Sequence, residues 1–234
     1  MPFTLFGISH SIVIFFTLFL SLLTFWANKF SGKQQSTIQT FLAFLLSLQI
    51  IVFNSWHLYF GSFDITRFLP FHLCTISAYI SVLALLIKKN WLYKLQFFWA
   101  PAGAFVALVL PDIGANENFP SFRFIEFFWS HSLIVIISFW IIATQNLQLK
   151  YSDVWKYFGL LLVFCFGVVF WINKLIGSNY MYLMNKPSGG QMNFLPSEPY
   201  HVLGLVGILL LIFNVQFFVW KYLVSRRFKS KFDN

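Results

Sequence analysis

Seven long apolar blocks constrain the fold of this chain more than any other feature. Each has about the 20-residue length that a helix needs to cross the hydrocarbon core of a bilayer. Hydrophobic residues make up 59% of the chain and charged residues only 10%, which is typical of an integral membrane protein. The blocks lie approximately at residues 8–28, 37–60, 69–87, 91–110, 121–143, 155–176 and 201–223.

We therefore predict an all-α membrane protein, a single bundle of seven transmembrane helices. The transmembrane domain spans residues 1–224, and residues 225–234 form a basic cytoplasmic tail that lies against anionic headgroups. The first block lacks a basic n-region and a small-residue cleavage site, so we interpret it as a retained span of a multi-pass cell-membrane protein. The pattern does not define an oligomeric state.

The net charge of +9 indicates membrane topology and not nucleic-acid binding, because no soluble basic domain is left to carry such a role. Twelve of the sixteen lysines and arginines fall on one side of the predicted spans, in short loops and the tail. The positive-inside rule then predicts an external N-terminus and a cytoplasmic C-terminus. The remaining four are Arg67, Arg123, Lys174 and Lys186.

With this topology, every histidine falls in the outer half of the bundle, as do five of the seven acidic residues. Ionisable groups at membrane depth need partners or a polar cavity, so the asymmetry predicts an outward-facing polar cavity. The histidines are His10, His57, His72, His131 and His201.

The fifth span carries Arg123, Glu126 and His131 within one apolar stretch. Arg123 could hold a phosphate or carboxylate headgroup bidentately while Glu126 orients it, or the two could form a buried ion pair that only fixes helix register. At about 100° per residue, His131 points partly away from Glu126 and is expected to face another helix.

Cys74 is a candidate nucleophile in the segment "LPFHLC", one to two turns below the predicted outer end of span 3. The alternative is a small packing residue, which is our interpretation of Cys165. His72 lies two residues from Cys74 and diverges from it around a helix, so a base would come from another span, with His131 and His10 as candidates.

The loop after span 6 offers uncharged hydrogen-bond donors at Asn179 and Tyr180. These suit the ester or headgroup oxygens of a lipid, although turn formation explains them equally well. Asp112 adds a carboxylate at the outer end of span 4. We include these three residues, with Arg123, Glu126 and His10, among the candidate substrate-binding groups.

Four segments together resemble the YwaF-like family of bacterial integral membrane proteins. They are "LPFHLC", "FWAPAGAFVALVLPD", "FPSFRFIEFFWSH" and "GSNYMYLMNKP", and the resemblance covers nearly the whole chain. That family is similar, more distantly, to eukaryotic transmembrane protein 164, for which a phospholipid acyltransferase activity through a membrane cysteine has been proposed.

The resemblance implies that Cys74 attacks a phospholipid ester to give an acyl-thioester, with His131 as base and His72 beside the nucleophile. A lysophospholipid or another hydroxyl then takes the acyl group. Arg123 would hold the lipid phosphate, and Asn179, Tyr180 or a second histidine would stabilise the oxyanion. No cofactor or metal is expected, and the implied partners are the membrane and its lipids.

Two rival functions compete with this hypothesis. A metal-dependent lipid hydrolase could draw ligands from His10, His72, His131 and His201 with Asp112 or Glu126, but the sequence has no HExxH or HxxxH pair. A transporter of lipids or small molecules would use the same polar groups for binding only, although no inverted repeat is evident.

Overall fold

The computed structural model describes residues 2–114, 116–186 and 193–232, with side chains up to residue 222. These residues are mainly helical, and they include no β-strand. The helices are α1 Ile8–Leu23, α2 Gly32–Tyr59, α3 Leu73–Ile87, α4 Asn90–Val109, α5 Phe122–Thr144, α6 Tyr151–Phe164, α7 Phe170–Ile176 and α8 His201–Phe232. A 3-10 turn, Thr24–Lys29, continues α1, and a π-helical turn, Cys165–Val169, joins α6 to α7.

Six of these helical segments are long and apolar enough to cross a membrane, and α3 is shorter at 15 residues. The prediction of an all-helical multi-pass membrane protein is confirmed. Counting α6 and α7 as one segment, the bundle has seven helical segments in the order that the apolar blocks predict. The predicted orientation and the cytoplasmic tail stay predictions, because all side chains of residues 225–234, and residues 233–234 entirely, lie outside the described part of the chain.

The two ends of the bundle differ in their connections. The long-loop end carries the N-terminus and the longer connections, which join α2 to α3, α4 to α5 and α7 to α8. The short-loop end carries the connections 30–31, 88–89 and 145–150. Both α3 and α5 start at the long-loop end and run parallel, whereas α4 runs between them in the opposite direction.

The central helices are α4 and α5, which are more buried than the other spanning helices. Helix α5 contacts α1, α2, α3 and α4, while α4 also contacts α6 and α8.

Local capping fixes where two helices begin. Ser31 and Gln34 form a capping box at the start of α2, and Ser121 accepts the Phe124 N–H at 3.2 Å to start α5.

Helix α3 begins later than its predicted span. The block was expected to start at residue 69, but His72 is the N-cap and Leu73 the first helical residue. The preceding turn is held by the Tyr180 hydroxyl, which accepts the Leu69 N–H at 3.0 Å and donates to the Ile65 carbonyl. Tertiary hydrogen bonds thus compete with helix extension here, and they leave Cys74 in the first turn of α3.

A buried polar layer sets the register of the three central helices. The Gln96 side-chain amide on α4 donates to Ser138 Oγ on α5 at 2.7 Å and to Ser81 Oγ on α3 at 3.4 Å. All three residues are fully or almost fully buried. Hydrogen-bond partners are scarce inside a membrane bundle, so the shared amide holds Ser81 and Ser138 at the same depth. The Gln96 Oε1 has no partner among the described residues.

Candidate functional site

The register of this layer places Cys74 and His131 at one depth. Cys74 precedes Ser81 by seven residues and His131 precedes Ser138 by seven, on two parallel helices. Seven residues are about two turns, or roughly 10 Å, and return a side chain to nearly the same face. The two residues therefore sit about two turns above the Gln96 layer, and α3 contacts α5 directly.

Gly103 on α4 supports this count independently. It follows Gln96 by seven residues on the antiparallel helix, and a Cβ placed on it would lie 3.0 Å from the backbone nitrogen of Cys74. Helices α3 and α4 therefore approach closely at the level of the cysteine, and a side chain at position 103 would press against the α3 backbone. We call Cys74, Gly103 and His131 the cysteine layer.

One face of α5 leads from the long-loop end down to His131. The Arg123 guanidinium lies over the Phe127 ring, 5.3 Å from its centroid, and that ring stacks on His131 at 4.1 Å between centroids. Arg123 is 38% exposed at its side chain, whereas His131 is buried. The charge of Arg123 acts on both Cys74 and His131, as well as on His72.

Hydrogen bonding fixes which nitrogen of His131 carries the proton. Its Nδ1 lies 2.6 Å from the Phe127 carbonyl oxygen, which can only accept, so Nδ1 is the donor. In the neutral ring Nε2 then holds a free lone pair. Nε2 is buried and has no hydrogen-bond partner in the described part of the chain. Such a nitrogen is suited to accept a proton from a neighbouring thiol.

His72 has the opposite arrangement. Its Nδ1 accepts the backbone N–H of Met181 at 3.2 Å, so the neutral ring carries its proton on Nε2. The rings of Tyr180 and Tyr182 lie 5.1 Å and 5.6 Å from the His72 ring, measured between centroids. His72 is therefore a fixed hydrogen-bond donor at the N-terminus of α3.

Two effects of opposite sign act on a negative charge at Cys74. It is the second residue of α3, and the N-terminus of a helix favours anions. Partial burial has the opposite effect, because it removes water from around the charge. Cys74 is a free cysteine and makes no disulfide. A nearby base that takes the proton during attack would resolve these opposing effects.

The loop after α7 is held against this site by Asn173, which is 1% exposed. The Asn173 carboxamide oxygen accepts the Tyr180 N–H at 2.8 Å and the Ser178 hydroxyl at 2.7 Å, and its amide donates to the Tyr180 carbonyl at 3.0 Å. Asn173 therefore fixes the backbone of this loop just before it reaches His72.

Backbone strain follows directly in the same loop. Met181 and Tyr182 both have positive φ, 56° and 54°, which L-residues other than glycine adopt at a cost of about 1–2 kcal/mol each. Tyr182 donates to the Asp112 carboxylate at 2.8 Å, and its carbonyl accepts from His201 Nε2 at 2.9 Å. Burial and the Asp112 charge raise the pKa of Tyr182, so the phenol stays a donor. Strain of this kind clusters at functional sites.

Glu126 faces a partner that the sequence interpretation did not include. It pairs with Arg123, and its other carboxylate oxygen lies 3.4 Å from the Gln49 amide of α2. Glu126 is buried, so the ion pair gives its carboxylate the partner that a buried charge needs and also fixes the position of Arg123. Only one guanidinium nitrogen contacts Glu126 in the described residues, which leaves further N–H groups for a phosphate.

Three predicted binding residues use their polar atoms within the protein. Both ring nitrogens of His10 are occupied, by the Phe6 N–H and the Leu108 carbonyl. The Tyr180 hydroxyl holds the turn before α3, and Asn179 binds the backbone of residues 184 and 185. These residues shape the long-loop end, and the structure does not bring them to Cys74 as free donors.

The described residues contain no group of three histidine, cysteine, aspartate or glutamate side chains that could hold a metal ion. His72 lies two residues from Cys74 and His131 lies at the depth of Cys74, but His10 is engaged elsewhere and His201 binds the Tyr182 carbonyl. The four histidines considered as metal ligands thus have separate hydrogen-bonding roles.

The family is shown by comparison with known proteins. A model of the TMEM164 family matches residues 5–216, which is most of the chain. The chain belongs to the TMEM164 family. No curated protein and no solved structure matched it. The similarity to transmembrane protein 164 is confirmed, whereas the likeness to YwaF stays a prediction.

Several site residues were missed in the sequence. Phe127 follows Arg123 at the helical spacing i+4 and precedes His131 by the same step, so its place on that face could have been found. Gln96 and Gly103 are seven residues apart, the same spacing that separates Cys74 from Ser81 and His131 from Ser138. The sequence shows this spacing, but only the contacts between α3, α4 and α5 show that the three pairs lie side by side. Asn173 falls inside the sixth predicted span and was a candidate hydrogen-bond donor for lipid oxygens, but the sequence does not identify its partners in the loop.

We expect Asn173→Ala to loosen the loop over His72. The substitution removes three hydrogen bonds from a buried site, and each backbone group left unpaired costs about 1–3 kcal/mol. Alkylation of Cys74 by a membrane-permeant maleimide, measured in a Cys165→Ser background, should accelerate about tenfold or more. Asn146→Ala, an exposed residue of the short-loop end, is the control, and equal rates in both variants would contradict a closing role for Asn173.

Proposed function

We propose that this protein is a membrane-embedded lipid acyltransferase that uses Cys74 as nucleophile and His131 as base, with a phospholipid as acyl donor. The strongest support is that the helix register puts Cys74 and His131 at one depth. His131 Nδ1–H is bound to a carbonyl, and its Nε2 has no hydrogen-bond partner among the described residues. Membership of the TMEM164 family is consistent with this activity.

In the first step, Cys74 Sγ forms a bond to the carbonyl carbon of a phospholipid ester while its proton passes to His131 Nε2. The carbon–oxygen bond to glycerol then breaks. The leaving oxygen takes the proton from His131, which releases a lysophospholipid and leaves an acyl-thioester on Cys74.

In the second step, the hydroxyl of a lysophospholipid or another lipid attacks the thioester. His131 Nε2 removes the proton of that hydroxyl, the carbon–sulfur bond breaks, and the proton returns to the thiolate. The acyl group is moved between oxygens without oxidation or hydrolysis, so the reaction needs no cofactor.

His72 takes the role of oxyanion donor that the sequence left open between Asn179, Tyr180 and a second histidine. Because His72 Nδ1 accepts the Met181 N–H, the ring carries its proton on Nε2, where it is free to donate. His72 is two residues from the nucleophile Cys74. The hydroxyls and amides of the other two candidates are already bound within the loops. A positioned donor of this kind stabilises the charge that develops on the carbonyl oxygen.

Arg123 would bind the phosphate of the donor lipid at the long-loop end. Its guanidinium is partly exposed, is oriented by Glu126, and lies on the same α5 face as His131. Eight residues separate the two, about 12 Å along the helix. The headgroup would therefore bind above the ester, with the acyl chains directed into the bundle. In the predicted orientation this end faces outward.

A covalent acyl adduct is the first expected result. After incubation with defined phospholipids, intact-protein mass spectrometry should show a hydroxylamine-labile acyl mass on the native protein and on Cys165→Ser, and none on Cys74→Ala. The adduct should also form in the presence of a strong metal chelator. An adduct that survives Cys74→Ala, or its absence from the native protein across a broad lipid panel, would remove the thioester mechanism.

The two histidines should respond differently to glutamine. Glutamine at position 72 can still accept from Met181 and donate an N–H, so His72→Gln should retain much more adduct formation than His72→Ala. At position 131 glutamine cannot take up a proton, so His131→Gln and His131→Ala should both lower the rate by about 10²- to 10⁴-fold. Rates of adduct formation with one phospholipid provide the measurement, and equal rescue at both positions would contradict the assigned roles.

A further inference from the structure

A groove at the short-loop end lies on the opposite side of the bundle from Cys74. It opens between the start of α6 and the membrane-embedded part of α8, and its volume is about 520 Å³. Its lining includes Lys150 and Tyr151 from α6, and Phe217, Trp220 and Lys221 from α8. None of these residues has a role in the proposed transfer reaction.

The wall of the groove is aromatic and preformed. The rings of Tyr151 and Phe217 are 5.5 Å apart, and those of Phe217 and Trp220 are 5.8 Å apart, measured between centroids. The Tyr151 hydroxyl donates to Asn214 on α8 at 3.0 Å, which ties the two helices together. Phe218 adds a further ring that is 54% exposed. An apolar chain could lie along the exposed rings of Tyr151 and Phe218, with the nearly buried Phe217 and Trp220 behind them.

The rim of the groove is positively charged. Lys150 and Lys221 are both exposed, and neither forms an ion pair with a carboxylate within the described ranges. Asp153, three residues after Lys150, pairs with Lys94 at 2.7 Å and accepts the Lys150 backbone N–H at 2.8 Å. Two ammonium groups without a carboxylate partner in the described residues therefore border an aromatic wall.

We propose that this groove binds one anionic glycerophospholipid, with its phosphate between Lys150 and Lys221 and an acyl chain along Phe217 and Phe218. Basic pockets between transmembrane helices recognise anionic headgroups, and tryptophan is characteristic of the interfacial level where headgroups lie. The aromatic wall favours a lipid over a free anion, because a soluble phosphate would leave it uncovered. The short-loop end also carries most of the positive charge of the chain.

Native mass spectrometry of the full protein tests this site with phosphatidylglycerol and phosphatidylcholine of identical acyl chains. The native protein should retain one phosphatidylglycerol in preference to phosphatidylcholine, and excess inorganic phosphate should not displace it. In the double variant Lys150→Gln, Lys221→Gln, the preference should fall about tenfold or more. The matched variant Lys29→Gln, Lys33→Gln removes the same charge from the same end but outside the groove, and should keep the preference.

Phe218→Ala provides a second measurement that leaves all charges in place. Loss of this exposed ring should shorten retention of phosphatidylglycerol without creating a preference for phosphatidylcholine. Equal loss in both lysine double variants would show diffuse attraction to the basic end and overturn the site. Displacement by inorganic phosphate, or unchanged binding in Lys150→Gln, Lys221→Gln, would overturn it as well.

Discussion

The bond between the Gln96 amide and the serines Ser81 and Ser138 determines the geometry on which the rest of this structure depends. In a membrane bundle the lipid gives helices little hydrophobic reason to prefer one register, so buried polar contacts set it. With these three helices in register, Cys74 and His131 lie two turns above the amide at a common depth. Gly103 lets the α3 backbone at Cys74 approach α4 closely, because a Cβ at position 103 would lie only 3.0 Å from the Cys74 nitrogen.

Hydrogen bonds to the backbone then give two histidines opposite roles. A carbonyl fixes the proton of His131 on Nδ1, and a backbone N–H fixes that of His72 on Nε2. One ring thus offers a lone pair and the other a donor, which is the division that acyl transfer needs. The N–H that orients His72 belongs to a strained loop, so Asn173 acts on the site through backbone geometry.

Much of the fold follows from the sequence because the length of an apolar block determines whether it can span a bilayer. The start of α3 was displaced because the Tyr180 hydroxyl stabilises a turn there, a contact between residues 111 positions apart. The crowding of histidines at one end predicted the region of the site. Their individual roles depended on tautomers, and Asn179 and Tyr180 looked like free donors until their loop partners were known.

The pairing of Cys74 with residue 131 is tested most directly by mercuric ion bridging. In a Cys165→Ser background, His131→Cys should bind one mercuric ion between its two thiols and protect both from alkylation after unfolding, as measured by intact mass. Ser138→Cys, two turns further from Cys74, should leave its thiols unbridged. Bridging in the second variant but not the first would show that the helices have a different register and would contradict the cysteine layer.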